Sequence, residues 1–350
     1  MSKNIVFLPI WGKLNETIPR QQMAALQKMG ARANYGLPGA FFPISRSAAR
    51  FRPDVISMDW IHQYCLAPGL AKSLFKTFLF VADVLIYRLF FSGKLVWTVH
   101  NMRHHDPRPR KLELWVSRFF ARNCQKIRVL GKGMESEIAQ AFDISPEKIR
   151  VIPEGPYIGW YPEGQTREEA RAALQIGPEK RVWLYLGTIR PYKGVEQLIA
   201  AYQKLRTTDS LLLIAGNPWN TAYTETLKEL ARDQQDIRLF AASVPDNQLQ
   251  TFFAASDLVV LPFKNVLNSG SVLLAMGFGK PIVAPRMGLI PFRLCRQPEL
   301  LFHEDQDLET TLLKTSQLSM EELAKIGSNN REEALRYTWD DFAHFVLNEV

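Results

Sequence analysis

Two cations stand close together in the second half of the sequence. Arg190 and Lys193 lie in the segment GTIRPYKG, residues 187–194. An arginine offers a planar fork that bonds two oxygens and a lysine offers a compact charge, so such a pair can share two linked phosphates. The apolar run 182–186 predicts a buried strand before the segment, and the spacing of residues 195–205 predicts a helix after it. The cations are therefore expected on a strand-to-helix turn.

Small residues precede another apolar helix further along the chain. Ser269, Gly270 and Ser271 lead into the run VLLAM at 272–276. The N–H groups at the start of such a helix, together with its dipole, favour an anion. Cations on a surface turn and a simply capped helix are common when either motif occurs alone. Their ordered occurrence in one chain predicts a clamp for a diphosphate.

Acid and base candidates lie in the first half. His100 ends an apolar strand, and Asn101 follows it. A neutral imidazole there could bond a sugar or remove a hydroxyl proton, although a lone histidine is more often structural. Asp59 and His62, just after the apolar run 55–58, form a second candidate acid/base set. Strand ends are where open α/β sheets bind ligands, so both sets are expected near a substrate.

Short β-rich runs alternate with helical patterns along the chain, and this alternation predicts an α/β fold with parallel sheets. The length of 350 residues predicts two domains. No G-x-G-x-x-G follows a strand, so the fingerprint of an NAD-type site is missing. The predicted strands are 5–10, 55–58, 94–99, 127–130, 182–186, 211–215, 237–240, 258–261 and 281–284.

The domain boundary is expected near residues 155–170. The segment 151–162 holds three prolines and two glycines, which mark a linker. The aromatic, amphipathic tail predicts a final helix that packs back on the first domain. The predicted parts are an N-terminal domain over 1–160, a C-terminal domain over 161–335 and the final helix over 336–350.

The charge of +8 and the pI near 9.3 suggest an acidic partner, which is a phosphorylated small molecule, an anionic membrane or nucleic acid. The basic and aromatic interleaving of a nucleic-acid binder is missing. Cys65, Cys124 and Cys295 form neither a disulfide framework nor a metal-ligand pattern and fit a reducing compartment. The first apolar run is too short for a signal peptide. A cytoplasmic protein is expected, with peripheral contact at the inner face of the membrane as an open alternative.

The most apolar stretch, residues 74–91, is interrupted by Lys76, Asp83 and Arg88 and falls short of the ~20 apolar residues that span a bilayer. Two interpretations are open: a buried helix, or a helix in a membrane interface. In the second, lipid would be entered by Phe75, Phe78, Phe90 and Phe91. Anionic headgroups would also attract the basic cluster that follows, namely Arg103, Arg108, Arg110, Lys111, Arg118, Arg122, Lys126 and Arg128.

Several segments match one family in order and spacing. They are LGTIRPYKG at 186–194, IAGN at 214–217, ASDLVVLP at 255–262 and SGSVLLAMGFGKPIVA at 269–284. With them, the chain resembles the GT-B glycosyltransferases, particularly those related to the bacterial family-4 (glycosyl transferases group 1) enzymes that build polysaccharides and glycolipids. WTVHN and IRVIPEG in the first half are similar to that family's first-domain strand end and interdomain loop.

The resemblance implies two Rossmann-like domains facing across a cleft, with the acceptor on the first and a nucleotide-sugar donor on the second. It implies neither a metal nor a cofactor, because cations and backbone dipoles stabilise the departing diphosphate. The catalytic candidates are His100, Asp59 and His62. The implied donor contacts are Arg190, Lys193, Asn217, Ser269, Gly270 and Ser271, and the implied acceptor or sugar contacts are Asn101 and Glu154.

The sequence also departs from the family. Where the family commonly carries a Glu-x7-Glu pair, whose second member contacts the donor ribose, this chain has Val266 and Leu274. The family's arginine usually lies at the position of Thr188, whereas Arg190 lies nearer the lysine. Both departures favour rearranged donor contacts or altered stereochemistry.

The expected function is transfer of a hexose from a UDP- or GDP-linked donor to a saccharide or lipid-linked acceptor in polysaccharide or glycolipid synthesis. No nucleic acid is expected as a partner. The alternative is a non-catalytic GT-B subunit that binds nucleotide or glycan and supports a partner enzyme, which the loss of both glutamates motivates.

Overall fold

Two compact units make up the chain in the computed structural model. Contacts group Met1–Glu154 with Tyr337–Val350 as the first unit and Gly155–Arg336 as the second. The first boundary therefore lies at the start of the proline- and glycine-rich segment, between Glu154 and Gly155. The structure describes residues 2–9, 17–100, 109–205, 209–232, 234–303 and 305–350.

The first unit is built on a parallel sheet. Six strands among its described residues pair in the order β2-β1-β3-β4-β5-β6. The strands are β1 Asn4–Leu8, β2 Arg32–Tyr35, β3 Val55–Met58, β4 Lys94–Val99, β5 Lys126–Val129 and β6 Ile149–Val151. The helices before the second unit are α1 Thr17–Lys28, α2 Pro43–Phe51, α3 His62–Cys65, α4 Leu70–Phe90, α5 Arg110–Asn123 and α6 Glu135–Phe142.

The second unit repeats this scheme. Its described residues form another parallel sheet of six strands, in the order β12-β11-β10-β7-β8-β9, so the predicted α/β class is confirmed. The strands are β7 Arg181–Leu186, β8 Ser210–Ala215, β9 Ile237–Phe240, β10 Leu258–Val260, β11 Ile282–Pro285 and β12 Leu301–Phe302. The helices are α7 Arg167–Ala173, α8 Val195–Leu205, α9 Thr221–Ala231, α10 Leu249–Ala255, α11 Gly270–Gly277, α12 Ile290–Arg293, α13 Asp305–Ser316 and α14 Met320–Leu335.

The end of the chain belongs to the first unit. Helix α15, Trp339–His344, continues into a π-helical turn, Phe345–Glu349. Phe342 lies 6.2 Å from Phe7 of β1, ring centre to ring centre, and the guanidinium of Arg128 lies 4.7 Å above the Phe342 ring. The final helix thus completes a core that β1 and its neighbours leave open on this face.

A buried carboxylate fixes the start of two strands in the second unit. Asp257 accepts hydrogen bonds from Arg171 at 2.8 Å, from Arg167 at 3.2 Å and from the backbone N–H of Val182 at 2.7 Å. A buried charge is tolerated only when its oxygens are bonded in this way. Asp257 therefore ties α7 to the adjacent strands β7 and β10 and sets where both strands emerge.

Two glycines allow the loops at the carboxyl ends of these strands to pack backbone to backbone. Gly194 has φ 73°, and a Cβ there would lie 1.9 Å from the carbonyl oxygen of Pro262. A Cβ on Gly216 would lie 1.7 Å from the carbonyl oxygen of Gly187. No side chain fits at either point, so the loops after β7, β8 and β10 meet only because both residues are glycine.

The contact at Gly194 gives a stability prediction. Gly194→Ala should lower the thermal denaturation midpoint by roughly 8 °C or more, because backbone strain and a forced shift of Pro262 together cost about 3 kcal/mol in a unit of this size. Gly159→Ala is the matched control, since Gly159 has φ 78° and no atom within 4 Å of its Cβ position. The control should lose only about 3 °C. Equal losses in the two variants would contradict the packing argument.

Candidate functional site

The loop after β7 is held against the loop after β8. The N–H of Ile189 donates to the carbonyl of Asn217 at 2.8 Å, and the N–H of Trp219 donates to the carbonyl of Ile189 at 2.9 Å. The hydroxyl of Tyr185 donates to the carbonyl of Thr188 at 2.8 Å. These bonds fix the backbone immediately before Arg190.

Lys193 occupies an unusual electrostatic position. It ends a 3-10 turn, Pro191–Lys193, and its Nζ lies 4.1 Å from the ring centre of Phe263. Burial, and to a smaller extent the charge of Arg190, lowers the pKa of Lys193 to about 8. Within the described ranges, neither Lys193 nor Arg190 forms an ion pair with a carboxylate. A bound anion would offset the cost of burying the Lys193 ammonium without a carboxylate partner.

The start of α11 lies beside the same loop. A Cβ on Gly187 would lie 3.1 Å from the hydroxyl oxygen of Ser271, so the structure brings the two sequence motifs together within the second unit. Ser269 precedes the helix and is buried, and its hydroxyl oxygen has no hydrogen-bond partner among the described residues. The first N–H groups of a helix also lack partners inside the helix. This end of α11 therefore offers donors to an anion.

The other predicted donor contacts differ in their surroundings. Asn217 is exposed, and only its backbone carbonyl has a role in holding the loop. Val266 is buried, and its N–H lies 3.3 Å from the sulfur of Met287. Leu274 is half-buried on α11. Neither apolar side chain can bond a ribose, as the sequence already indicated.

In the first unit, a histidine lies between two carboxylates. The Nε2 of His100 is 2.9 Å from Oδ1 of Asp59, and its Nδ1 is 3.7 Å from Oε1 of Glu154. Trp60 stacks on the imidazole with ring centres 4.0 Å apart. All three members of the Asp59–His100–Glu154 cluster are buried. With Asp59 accepting from Nε2–H, Nδ1 carries the lone pair and can accept a proton.

The backbone of Asp59 explains why its side chain is so well placed. Its N–H donates to the carbonyl of Leu8 at 2.9 Å, and its carbonyl accepts from the indole N–H of Trp97 at 3.0 Å. These partners belong to β1 and β4, which flank β3 in the sheet. Asp59 is therefore fixed at the carboxyl end of the sheet, where His100 follows β4.

His62 belongs to a different pair. Its Nε2 lies 3.3 Å from Oε1 of Glu113 on α5, and both side chains are buried. The sequence grouped Asp59 with His62, whereas the structure places Asp59 with His100 and Glu154. Asn101 lies outside the described residues. The roles of all the candidate residues stay predictions.

Sequence reasoning missed three contributors to these sites. Trp60 and Glu113 lack a motif, and Phe263, under the ammonium of Lys193, follows the strand-end proline as an ordinary apolar residue. Only contacts between distant parts of the folded chain reveal them. Among the described residues, no group of three or more His, Cys, Asp or Glu side chains is arranged to hold a metal ion.

Two family models match the chain. The model described as Glycosyl transferases group 1 matches residues 166–296, and the model described as Glycosyltransferase Family 4 matches residues 22–156. The first match contains Arg190, Lys193 and the start of α11. The second contains the Asp59–His100–Glu154 cluster.

Curated relatives carry glycosyltransferase names. A GDP-mannose:glycolipid 4-beta-D-mannosyltransferase from Xanthomonas campestris pv. campestris is 30% identical over 246 residues, which are 69% of this chain and 63% of the relative. A D-inositol 3-phosphate glycosyltransferase from Corynebacterium efficiens is 27% identical over 226 residues, which are 60% of this chain and 53% of the relative. The chain thus spans less than two thirds of the length of these relatives.

A solved structure extends the likeness to nearly the whole chain. The structure of Anabaena Alr3699/HepE in complex with UDP and glucose matches with a TM-score of 0.74 at 18% identity, covering 99% of this chain and 100% of that one. At this identity the likeness concerns the fold alone.

The position of Lys193 predicts how ligand affinity depends on pH. A bound diphosphate stabilises the ammonium, so the complex holds a proton that the free protein loses above its pKa of about 8. The affinity for a nucleoside diphosphate sugar should therefore fall as pH rises through 8, approaching tenfold per pH unit. Titration calorimetry between about pH 7 and 9.5 measures this slope.

Two variants make this test specific. Lys193→Arg should flatten the profile above pH 8, because a guanidinium stays protonated there. Lys264→Arg, at an exposed lysine nearby, should keep the original slope. If the affinity of Lys193→Arg still falls with pH above 8 as in the original chain, the pH dependence does not come from Lys193 and its assignment as a diphosphate contact is contradicted.

Proposed function

Because the chain belongs to the glycosyl transferases group 1 family and has the GT-B fold, we propose that it moves a hexose from a nucleoside diphosphate sugar to a saccharide or lipid-linked acceptor. The observation that carries the proposal is the half-buried pair of Arg190 and Lys193 on the loop whose Gly187 lies beside Ser271 of α11. A diphosphate suits two cations and open N–H groups better than a single carboxylate does. The second unit is therefore assigned to the donor.

The two donors to test first come from the relatives and the fold. The Xanthomonas relative is named for GDP-mannose and a glycolipid, and the Anabaena structure contains UDP and glucose. The first is favoured for this chain, because sequence identity to that relative is higher than to the Anabaena protein. GDP-mannose is the proposed donor to compare against UDP-glucose.

His100 is assigned to the acceptor. The attacking hydroxyl oxygen bonds the anomeric carbon while its proton passes to Nδ1 of His100. The bond from that carbon to the phosphate oxygen breaks, and its electron pair leaves with the nucleoside diphosphate. Asp59 and Glu154, one at each ring nitrogen, stabilise the imidazolium that forms. A base of this kind suits an inverting transfer, and apolar residues at 266 and 274 fit the loss of the family's usual donor contacts.

The remaining assignments follow from this chemistry. Arg190, Lys193 and the α11 N–H groups would stabilise the departing diphosphate, so we propose that transfer needs neither a divalent metal nor another cofactor. A lipid-linked acceptor would place the protein at the face of a membrane, on the cytoplasmic side. Among the helices that the structure describes, none is long and apolar enough to cross a bilayer.

Two substitutions should separate donor binding from catalysis. Lys193→Ala should weaken donor binding by roughly 10- to 100-fold and lower kcat/KM with it, because it removes charge-assisted hydrogen bonds. His100→Gln should lower kcat by about a hundredfold or more and leave the donor Kd nearly unchanged, because it removes only the base. Calorimetry gives the Kd, and product formation with labelled donor gives kcat.

His62→Gln is the matched control for His100→Gln. Both histidines are equally buried and paired with a carboxylate, but only His100 contacts Asp59 and Glu154. The His62→Gln control should keep kcat within about threefold of the original value, since it leaves the proposed general base, His100, in place. A larger loss in His62→Gln than in His100→Gln would transfer the catalytic role to His62. Donor binding without any transfer or hydrolysis would favour the non-catalytic subunit.

Metal independence has its own test. Transfer should keep its rate after exhaustive EDTA treatment and gain less than about twofold from added Mg²⁺ or Mn²⁺, since cations of the chain replace the metal at the diphosphate. The measurement is the initial rate with labelled donor. An activity lost to EDTA and restored by either ion would overturn this part of the proposal.

A further inference from the structure

Helix α4 carries its apolar side chains outward. Its exposed residues are apolar except Lys72 and Arg88. The apolar ones are Leu70, Ala71, Leu74, Phe75, Phe78, Leu85, Leu89 and Phe90. Scattered apolar residues are normal on a surface, but a continuous outward face over a 21-residue helix marks an interaction site.

The inward face of the same helix is partly polar. Ser73 donates to the carbonyl of Ala67 at 2.7 Å, and Thr77 donates to the carbonyl of Cys65 at 2.8 Å. Asp83 is buried and accepts from the N–H groups of Ile44 and Ser45 at 2.8 Å each, which caps α2. These bonds fix the rotation of α4 about its axis. The apolar face therefore cannot turn inward without breaking them.

The structure tests the first of the two interpretations of this segment, a buried helix. A buried helix is wrong for the outward half, where Phe75, Phe78 and Phe90 are 59%, 69% and 75% exposed. Phe91 differs, because it is half-buried and stacks on Tyr87 with ring centres 5.8 Å apart.

Helix α5 packs against α4 and adds charge beside this face. Its first two turns expose Trp115 and Leu114 together with the cations Arg110 and Lys111. Trp is favoured at the level of lipid headgroups, and Lys and Arg are attracted to anionic lipids. We call the outward face of α4 with these four residues of α5 the α4 surface.

We propose that the α4 surface docks on an anionic lipid bilayer, with the apolar face of α4 lying in the interface and the flanking cations at the headgroups. The proposal rests on the proposed function insofar as a lipid-linked acceptor gives this docking its purpose. A helix that presents an apolar face and basic margins binds in this way through buried apolar area and through attraction to anionic lipid.

Charge favours a bilayer over a second copy of the chain. A symmetric dimer through the α4 surface would bring the same patch of each copy together. Lys72, Arg88, Arg110 and Lys111 of each copy would then meet at one interface, and the described residues of the α4 surface include no carboxylate to pair with them. An anionic membrane supplies the opposite charge instead.

The test is vesicle co-sedimentation of the full chain. Vesicles of phosphatidylglycerol and phosphatidylcholine in equal amounts should bind it, and vesicles of phosphatidylcholine alone should bind it much more weakly. Leu74→Ser combined with Phe78→Ser should lower the partition coefficient at least tenfold. Lys72→Gln and Arg88→Gln should each lower binding to the anionic vesicles by about fivefold at low salt, which corresponds to about 1 kcal/mol for each cation near the surface.

The matched control combines Leu313→Ser with Leu230→Ser in the second unit. Leu313 lies on a helix and is 50% exposed, as Leu74 is. The control should bind vesicles within about twofold of the original chain. The proposal is overturned if the original chain ignores anionic vesicles, if the control loses as much as the α4 variant, or if light scattering shows a dimer that Leu74→Ser with Phe78→Ser dissociates.

Nucleotide binding, read as a thermal shift with GDP and UDP, keeps this test separate from the proposed function. If the chain binds vesicles but shows no thermal shift with nucleotide, the proposed transferase function fails and the docking proposal stands. If it shows a thermal shift with nucleotide but does not bind vesicles, the docking proposal fails and the proposed function stands. An unchanged shift in the α4 variant would show that it is folded.

Discussion

Two cations of the second unit, Arg190 and Lys193, form no ion pair with a carboxylate among the residues that the structure describes. Lys193 lies over an aromatic ring beside Arg190, and burial lowers its pKa because charge is costly there. Backbone contacts at Gly194 and Gly216 leave the loops no freedom to relax, so the cations stay in place. The nearby hydroxyl of Ser269 and the start of α11 add donors but no negative charge. Under the proposed function, an incoming diphosphate would complete this arrangement, which is how a preorganised site gains from binding.

In the first unit, the candidate residue is surrounded by negative rather than positive side chains. There the proposed base, His100, lies between the buried carboxylates of Asp59 and Glu154, which under the proposed function would face the charge that proton transfer creates. The sheet sets this arrangement, since Asp59 is bonded through its backbone to β1 and β4, and His100 follows β4. Under the proposed function, each unit would therefore carry the charge that its part of the reaction needs: cations for a departing anion, and carboxylates for a developing cation.

The sequence predicted the fold class because both sheets are parallel and buried, and most of their strands read as apolar runs. Strands such as Arg32–Tyr35 and Ile149–Val151 escaped because they are short edge strands with exposed or half-buried residues. The cations were found because Arg190 and Lys193 are close in sequence. The sequence did not show which residues contact His100, because Asp59 and Glu154 come from distant parts of the chain and meet only through the sheet. The sequence also left undecided whether the apolar side chains of α4 are buried, since hydropathy alone does not tell which side of a helix faces the core.

The central claim is tested most directly by measuring the pKa of Lys193 itself. An NMR pH titration of lysine side chains labelled with ¹³C gives this pKa, and the Lys193→Arg variant identifies which signal belongs to Lys193. The account predicts a pKa of about 8 in the free protein, and a clear rise when GDP, UDP or a donor sugar binds, because the diphosphate stabilises the ammonium. A pKa near that of an exposed lysine in the free protein, or one that does not change on binding, would contradict the claim that this lysine awaits a diphosphate.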